Sequence, residues 1–187
     1  MLASCGGSDD STNGMSGMGS STPSASSSPS AETTTDFNDA DVSFATDMIP
    51  HHRQAVEMAK LADTRAESPE VKDLAVQIMN AQGPEIETMS GWLTSWGKPV
   101  PEEMGGMDMS GSMPGMMSNE DMDALMNASG ADFDQMFLNM MIEHHTGAIE
   151  MATTEQTDGM NADAIALAKQ IEQAQTTEIA TMRGLLK

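Results

Sequence analysis

Cysteine is nearly absent from this sequence of 187 residues, since Cys5 is the only one. A single cysteine excludes a disulfide within the chain and every zinc or iron–sulfur site that needs several thiolates. Aromatic residues are also few, with four Phe, two Trp and no Tyr. The core must therefore come from Ala, Leu, Ile, Val and Met, and that set favours helices over strands. No apolar run is long enough to cross a bilayer.

Basic residues are scarce as well. Eight Lys and Arg stand against 29 Asp and Glu, which gives a formal net charge of -21. This charge repels the phosphates of nucleic acids and anionic lipid headgroups, so we expect no nucleic-acid partner. A cationic ligand agrees with the charge, but acidity often serves solubility alone and does not by itself predict a metal ion.

The first 35 residues have the composition of a tether. Leu2-Ala-Ser-Cys5 is typical of a bacterial lipobox, whose cysteine is lipidated, and a stretch rich in Ser, Thr, Pro and Gly follows. The basic and apolar regions that should precede a lipobox are missing, which indicates a late start codon or a trimmed chain. We predict an extracytoplasmic protein anchored to the membrane by a lipid at Cys5, or secreted or periplasmic if the anchor is absent. A cytosolic protein with an incidental cysteine is the alternative.

Much of the remaining sequence aligns with itself, without a gap, when it is shifted by 93 residues so that Phe44 meets Phe137. Both aligned stretches carry apolar residues at helical spacing, which predicts two amphipathic helices in each half. The pattern therefore indicates a duplicated two-helix unit. The aligned ranges are 44–59 with 137–152, and 74–89 with 167–182.

Caps and breaks predict where these helices end. Ser68 followed by Pro69 is typical of a helix start, and Gly159 with Asn161 supplies a break and a cap in the second unit. Connections this short make the helices of each unit antiparallel. We predict an all-α fold, a four-helix bundle made of two tandem antiparallel helical hairpins. Its parts are the tether in 1–35, a first hairpin in 36–97, a Met/Gly-rich linker with a short helix in 98–130, and a second hairpin in 131–187.

The first helix of each predicted hairpin contains the sequence Met-x-x-His-His. Residues three and four apart share a helix face, so the thioether lies beside both imidazoles. At least one imidazole of each pair must also point toward the bundle interior, because both continue apolar stripes. The motif occurs as Met48, His51 and His52, and again as Met141, His144 and His145.

An antiparallel hairpin brings residues equidistant from its turn to the same level. This places the first histidine pair level with Gln82 and Glu85, and the second level with Gln175 and Glu178. A carboxylate within an apolar stripe is costly unless a cation compensates its charge. We therefore predict one metal site in each hairpin, extended by a methionine one turn beyond the glutamate. The candidate ligands are Met48, His51, His52, Glu85, Met89, Met141, His144, His145, Glu178 and Met182.

The ligand types favour a soft metal. Di-iron bundles use Glu-x-x-His, but the residue three before each histidine here is Met or Ile. Thioether sulfur combined with imidazole favours copper(I), with silver(I) as its mimic. The alternative is that the methionines only fill the core and each histidine pair is one satisfied core residue and one solvated neighbour. Recurrence of His-His, Gln and Glu at matching levels favours the metal interpretation.

These motifs resemble a known family. Met48-Ile-Pro-His-His-Arg-Gln-Ala-Val-Glu-Met-Ala59, with Ala81-Gln-x-x-Glu-Ile-x-x-Met-x-x-Trp-Leu93, is similar to domain of unknown function family 305, from about Phe44 to the C-terminus. The resemblance implies an exported, ferritin-like four-helix bundle, and its methionine-rich members are associated with copper binding and tolerance. It implies the ligands Met48, His51, His52 and Met89, with Met141, His144, His145 and Met182.

The expected function is non-enzymatic binding of copper(I) for sequestration, transfer or tolerance. We predict no catalytic residues, and a protein that handles copper is a candidate partner. Two other functions stay open. Glu85 and Glu178 would support a copper(I) oxidase or a carboxylate-bridged dimetal enzyme. A metal-free bundle that docks a partner through an apolar face is the third.

Overall fold

The computed structural model describes residues 36–102 and 113–186. Within these ranges the chain forms helices and no strand. The predictions for the tether, including the lipid anchor at Cys5, and for linker residues 103–112 lie outside the described residues. The helices are α1 Asp39–Arg65, α2 Pro69–Ser95, α3 Asn119–Asn127, α4 Gly130–Asp158 and α5 Ala162–Leu185.

Most of the helices begin at side chains that satisfy their first backbone amides. The Ser68 hydroxyl accepts from the Val71 amide and Pro69 occupies the first turn of α2, as the sequence predicts. Ser118 forms a capping box at the start of α3, and the Asn161 side chain caps α5. Local sequence therefore determines where these helices start.

The four long helices form a bundle. Helix α1 packs along α2 and α4 packs along α5, and each pair is joined by a short connection, 66–68 or 159–161. The two hairpins meet mainly through α1 and α4. The longer connection from α2 to α4 makes those two helices parallel, which is the connectivity of ferritin-like bundles. The predicted all-α bundle of two tandem antiparallel hairpins is confirmed.

The apolar core has two parts. The first core lies toward the α1–α2 connection, and the second core lies toward the α4–α5 connection. Each long helix contributes to both, because its apolar stripe continues along most of its length. The first core includes Ala55, Met58, Ala62, Leu74, Ile78, Phe133, Phe137, Met141 and Met182, and the second includes Phe44, Met48, Ile49, Met89, Leu93, Ala148, Ala152 and Ile171.

A layer of polar side chains separates the two cores at the middle of the bundle. Every long helix contributes two residues to this layer, and six of the eight are buried. Such a layer costs stability unless its polar atoms find partners, so its presence calls for a functional explanation. The layer consists of His51 and His52 in α1, Gln82 and Glu85 in α2, His144 and His145 in α4, and Gln175 and Glu178 in α5.

The connection between the hairpins is held against α1. The Arg53 guanidinium donates to the carbonyl oxygens of Pro101 and Glu102, and the Gln54 side chain bonds the backbone of Met117. Arg65 donates to the Ala128 carbonyl oxygen near the start of α4. None of the helices in 36–102 and 113–186 is long and apolar enough to cross a membrane.

Candidate metal centre

The four histidines form one buried cluster. All four imidazoles are 0% exposed, and the ring centroids of His51 and His144 lie 3.7 Å apart. The centroids of His144 and His145 are 6.4 Å apart. The sequence predicted one site in each hairpin, but α1 and α4 pack face to face at the level of the histidines. The structure therefore brings both pairs into a single centre between the hairpins.

Glutamates from the neighbouring helices contact two of these rings. The distance from His52 Nε2 to Glu85 Oε2 is 2.7 Å, and that from His145 Nε2 to Glu178 Oε2 is 2.6 Å. Each pair is separated by 33 residues in the sequence, so the predicted levels within the hairpins are correct. The carboxylates are only partly buried, with 19% and 18% of their side chains exposed. Their charges are thus partly solvated as well as bonded.

These contacts, with one more at His51, determine which nitrogen carries the hydrogen in three of the four rings. An ionised carboxylate or a backbone carbonyl only accepts, so the imidazole nitrogen that contacts it must donate. His52 and His145 donate from Nε2 to the glutamates, and His51 donates from Nε2 to the Pro114 carbonyl oxygen at 3.1 Å. In the neutral form of each ring, Nδ1 then keeps its lone pair.

Burial keeps the central imidazoles neutral. It lowers the pKa of His51 to about 3, with a further decrease from the neighbouring His52. Burial also holds the pKa of His144 well below its ordinary value, and the nearby His51, His145 and His52 add to this effect. A neutral imidazole is the form that binds metal ions. The imidazoles of His51 and His144 therefore need not lose a proton before they bind a metal ion.

Methionines flank the imidazole cluster on both sides. Met48 and Met89 belong to the second core, and Met141 and Met182 belong to the first. All four side chains are fully buried. Met48 and Met141 precede the histidines of their own helices by one turn, where residues share a face. Each of the four long helices thus carries a buried thioether about one turn from its residues in the polar layer.

The residues present fit a soft cation better than a hard one. In 36–102 and 113–186, no three His, Cys, Asp or Glu side chains converge to hold an ion. Buried polar atoms usually have partners, yet several imidazole nitrogens here have none in the described structure. Neutral imidazole and thioether are ligands for copper(I), whereas hard cations need more oxygen donors. The unpartnered nitrogens are His51 Nδ1, His52 Nδ1, His144 Nδ1, His144 Nε2 and His145 Nδ1.

The backbone contact at Pro114 could not be found from the sequence. Pro114 lies 63 residues from His51, in a segment with no periodic pattern. The buried amides of Gln82 and Gln175 were expected at this level, and atoms of both lack partners in the described structure. Their side-chain oxygens are uncharged groups in the same polar layer as the histidines.

A second buried polar group, Glu155 beside Asp41, also lay outside the sequence predictions. Asp41 accepts from the backbone amides of Asn38 at 2.6 Å, Asn161 at 2.8 Å and Met160 at 3.1 Å. Burial, and then the adjacent Asp41, raise the pKa of Glu155 to about 8. Burial raises the pKa of Asp41, but its hydrogen bonds outweigh this and hold it below the ordinary value. A signal was available, because Glu155 continues the apolar spacing of Ala148 and Ala152.

Residues 41–186 match a family described as Domain of unknown function (DUF305). This chain belongs to the DUF305 family. The resemblance found in the sequence is therefore confirmed, and it covers both hairpins and the histidine cluster. Among curated proteins, no significant match was found.

Several DUF305 structures are similar to this chain. One from Deinococcus radiodurans is 30% identical, with a TM-score of 0.72, over 80% of this chain and 96% of that one. One from Streptomyces coelicolor, described as a secreted protein, is 34% identical, with a TM-score of 0.71, over 79% and 91%. CopM in its Cu(II)-bound form is 36% identical, with a TM-score of 0.69, over 78% and 95%. Other CopM structures hold Cu(I) or Ag.

Proposed function

We propose that this protein binds copper(I) at the histidine cluster, with silver(I) as a mimic, and serves copper sequestration, transfer or tolerance. The observation that carries the proposal is the layer of four fully buried imidazoles, in which five of the eight ring nitrogens lack partners in the described structure. A purely structural layer would leave those nitrogens unsatisfied at a cost in stability. The Cu(I)-, Cu(II)- and Ag-bound structures of CopM, about a third identical to this chain, support a copper-related role.

The two glutamates contribute to this site by accepting hydrogen bonds from its histidines. Each accepts a hydrogen bond from the Nε2 atom of His52 or His145, as carboxylates behind metal-binding histidines commonly do. Glu85 and Glu178 thereby orient the rings and add negative charge near the cation. The direct ligands come from the imidazoles and thioethers, namely His51, His52, His144 and His145 with Met48, Met89, Met141 and Met182.

The contacts of the two carboxylates favour metal binding without catalytic turnover. A dimetal oxidase needs carboxylates that bridge two ions, whereas Glu85 and Glu178 each contact a separate histidine. Oxygen consumption by the copper(I)-loaded protein separates the two functions. A binder gives no turnover above free copper(I), and sustained, protein-dependent oxygen consumption would make the oxidase the better proposal.

We also place the protein outside the cytoplasm. The DUF305 protein from Streptomyces coelicolor is described as secreted, and thioether ligands suit an oxidising compartment because they form no disulfides. The lipid anchor at Cys5 remains a prediction from the lipobox. Mass spectrometry of the membrane fraction tests it, since a lipidated N-terminal cysteine disappears in a Cys5→Ser variant.

Competition with a chromogenic copper(I) chelator tests the metal proposal. We expect the wild type to take copper(I) from the chelator and the His51→Leu/His144→Leu double variant to lose most of this ability. Leucine keeps the buried volume apolar, so helical content measured by circular dichroism should be retained. Met48→Leu/Met141→Leu should weaken binding, whereas Met160→Leu should not, because Met160 is 59% exposed. Equal competition by the wild type and the histidine variant would refute the site.

A further inference from the structure

A short non-helical segment lies over the histidine cluster. Residues 113–117 (Met-Pro-Gly-Met-Met), here called the strap, lead into α3 and contact both α1 and α4. The Pro114 carbonyl oxygen accepts from His51 Nε2 at 3.1 Å. Met113 and Met117 are buried, so part of the strap reaches into the protein. The strap is thus a segment of irregular backbone at the level of the buried imidazoles.

Two glycines allow this close contact. Gly115 has a φ of +75°, and a Cβ there would lie 2.7 Å from the Glu143 carbonyl oxygen and 3.0 Å from that of His144. A Cβ on Gly147 of α4 would collide with the Pro114 carbonyl group. Backbone therefore rests directly on backbone, with no room for a side chain between the strap and the helix that carries His144.

Within the described residues, three hydrogen bonds tie the strap to α1. The Gln54 side chain donates to the Met117 carbonyl oxygen at 2.9 Å and accepts from the Met117 amide at 2.8 Å. The contact between Pro114 and His51 adds one more. The long helices are joined to one another along two continuous cores, to which the strap adds one side chain, that of Met117 in the first core. Local opening favours segments with few buried contacts, so the strap should open before the bundle does.

The closed strap creates a problem of access. All four imidazoles are 0% exposed, so an ion reaches them only after part of the protein moves. We propose that the strap is a removable cover through which copper(I) enters and leaves the cluster. When closed, its Pro114 carbonyl holds His51 in the tautomer that leaves Nδ1 free. The strap also brings three thioethers, those of Met113, Met116 and Met117, to the entrance. This inference rests on the proposed copper function.

Gly147→Ala tests the cover without altering a proposed ligand. The added Cβ forces the strap away from α4. A second variant, Gln54→Ala, removes the two hydrogen bonds to Met117. Hydrogen exchange of the metal-free protein reports the movement, because the Met117 amide loses its acceptor in both variants. We expect copper(I) uptake from a chelator, followed by stopped flow, to be faster by about 30-fold in Gln54→Ala, the effect of losing two net hydrogen bonds, and to be faster than in the wild type in Gly147→Ala as well. Copper(I) release should accelerate likewise.

Matched controls are Gly91→Ala and Gln77→Ala, two exposed positions of α2, and both should behave as the wild type. Faster exchange with unchanged uptake would show that the ion enters elsewhere and would overturn the cover. Unchanged exchange in Gly147→Ala would also overturn it, because the strap would then not lie against α4. If neither the wild type nor any variant binds copper(I), the proposed function itself fails, and the proposed cover fails with it.

Discussion

At the scale of single residues, the partner of each imidazole decides what it can do. His52 and His145 each give one nitrogen to a glutamate, while His51 gives one to a backbone carbonyl. His144 has no partner for either nitrogen in the described structure. The four rings therefore have three kinds of surroundings, and His144 has the most free bonding capacity.

Replacing the glutamates tests whether they support the histidines. Glu85→Gln and Glu178→Gln keep the size of the side chain but remove the charge that makes its hydrogen bond strong. We expect each variant to bind copper(I) about 10- to 100-fold more weakly, the usual effect of losing such a partner. Chelator competition measures the affinity. Glu87→Gln, exposed on the same helix as Glu85, should leave it unchanged, and equal affinities for all variants would remove the glutamates from the site.

At the scale of elements, Asp41 ties the beginning of α1 to the α4–α5 connection. Its carboxylate accepts from Asn38 within the capping box of α1 and from Met160 and Asn161 at the start of α5. Two helix starts that lie far apart in the sequence thus share one carboxylate. The negative charge is also favourable at both helix N-termini.

Asp41→Ala should therefore destabilise the bundle more than a lost helix cap alone. We expect the free energy of unfolding to fall by roughly 2 to 4 kcal/mol, because the backbone amides of Asn38, Met160 and Asn161 lose a charged acceptor. Urea unfolding followed by circular dichroism measures the change. Asp39→Ala provides the control, since Asp39 is an exposed acidic residue in the same first turn. A similar loss in both variants would argue against the shared-carboxylate contact.

At the scale of the whole molecule, the Asp41–Glu155 pair should make stability depend on pH. The pKa of Glu155 is about 8 in the fold and has an ordinary value of 4.5. The folded state therefore holds a proton that the unfolded state releases between these values, and stability falls as pH rises through this window. The pKa of Asp41 is lowered, so its contribution is present above pH 3.8 and is lost as pH falls below it.

Glu155→Gln isolates the first effect. Glutamine resembles the protonated carboxyl and has no proton to lose, so the decline with pH should disappear. Between pH 5 and 8 the free energy of unfolding of the wild type should fall, relative to this variant, by up to about 1.4 kcal/mol per pH unit. Urea titrations at several pH values measure the difference. The Glu150→Gln control, exposed on the same helix, should follow the wild type. If the free energy of unfolding changes with pH in Glu155→Gln as it does in the wild type, the pKa of Glu155 is not raised.

Local patterns in the sequence determined the helices and the pairing within each hairpin. Ser68 and Pro69 start α2 as predicted, and the short connections bring His52 to Glu85 and His145 to Glu178. These features follow from helix periodicity and turn length, which involve neighbours in the chain. Residue types alone also indicated a soft metal, because imidazole and thioether are what the helices carry at that level.

Only the tertiary structure decided how the hairpins meet. The contact between His51 and His144, the Pro114 carbonyl above His51, and the Asp41–Glu155 pair all join segments far apart in the sequence. Which face of one hairpin packs on the other depends on the summed packing of both cores, and no local period encodes it. A backbone carbonyl in an irregular segment carries no sequence signal at all. The single centre and its cover therefore became visible only in three dimensions.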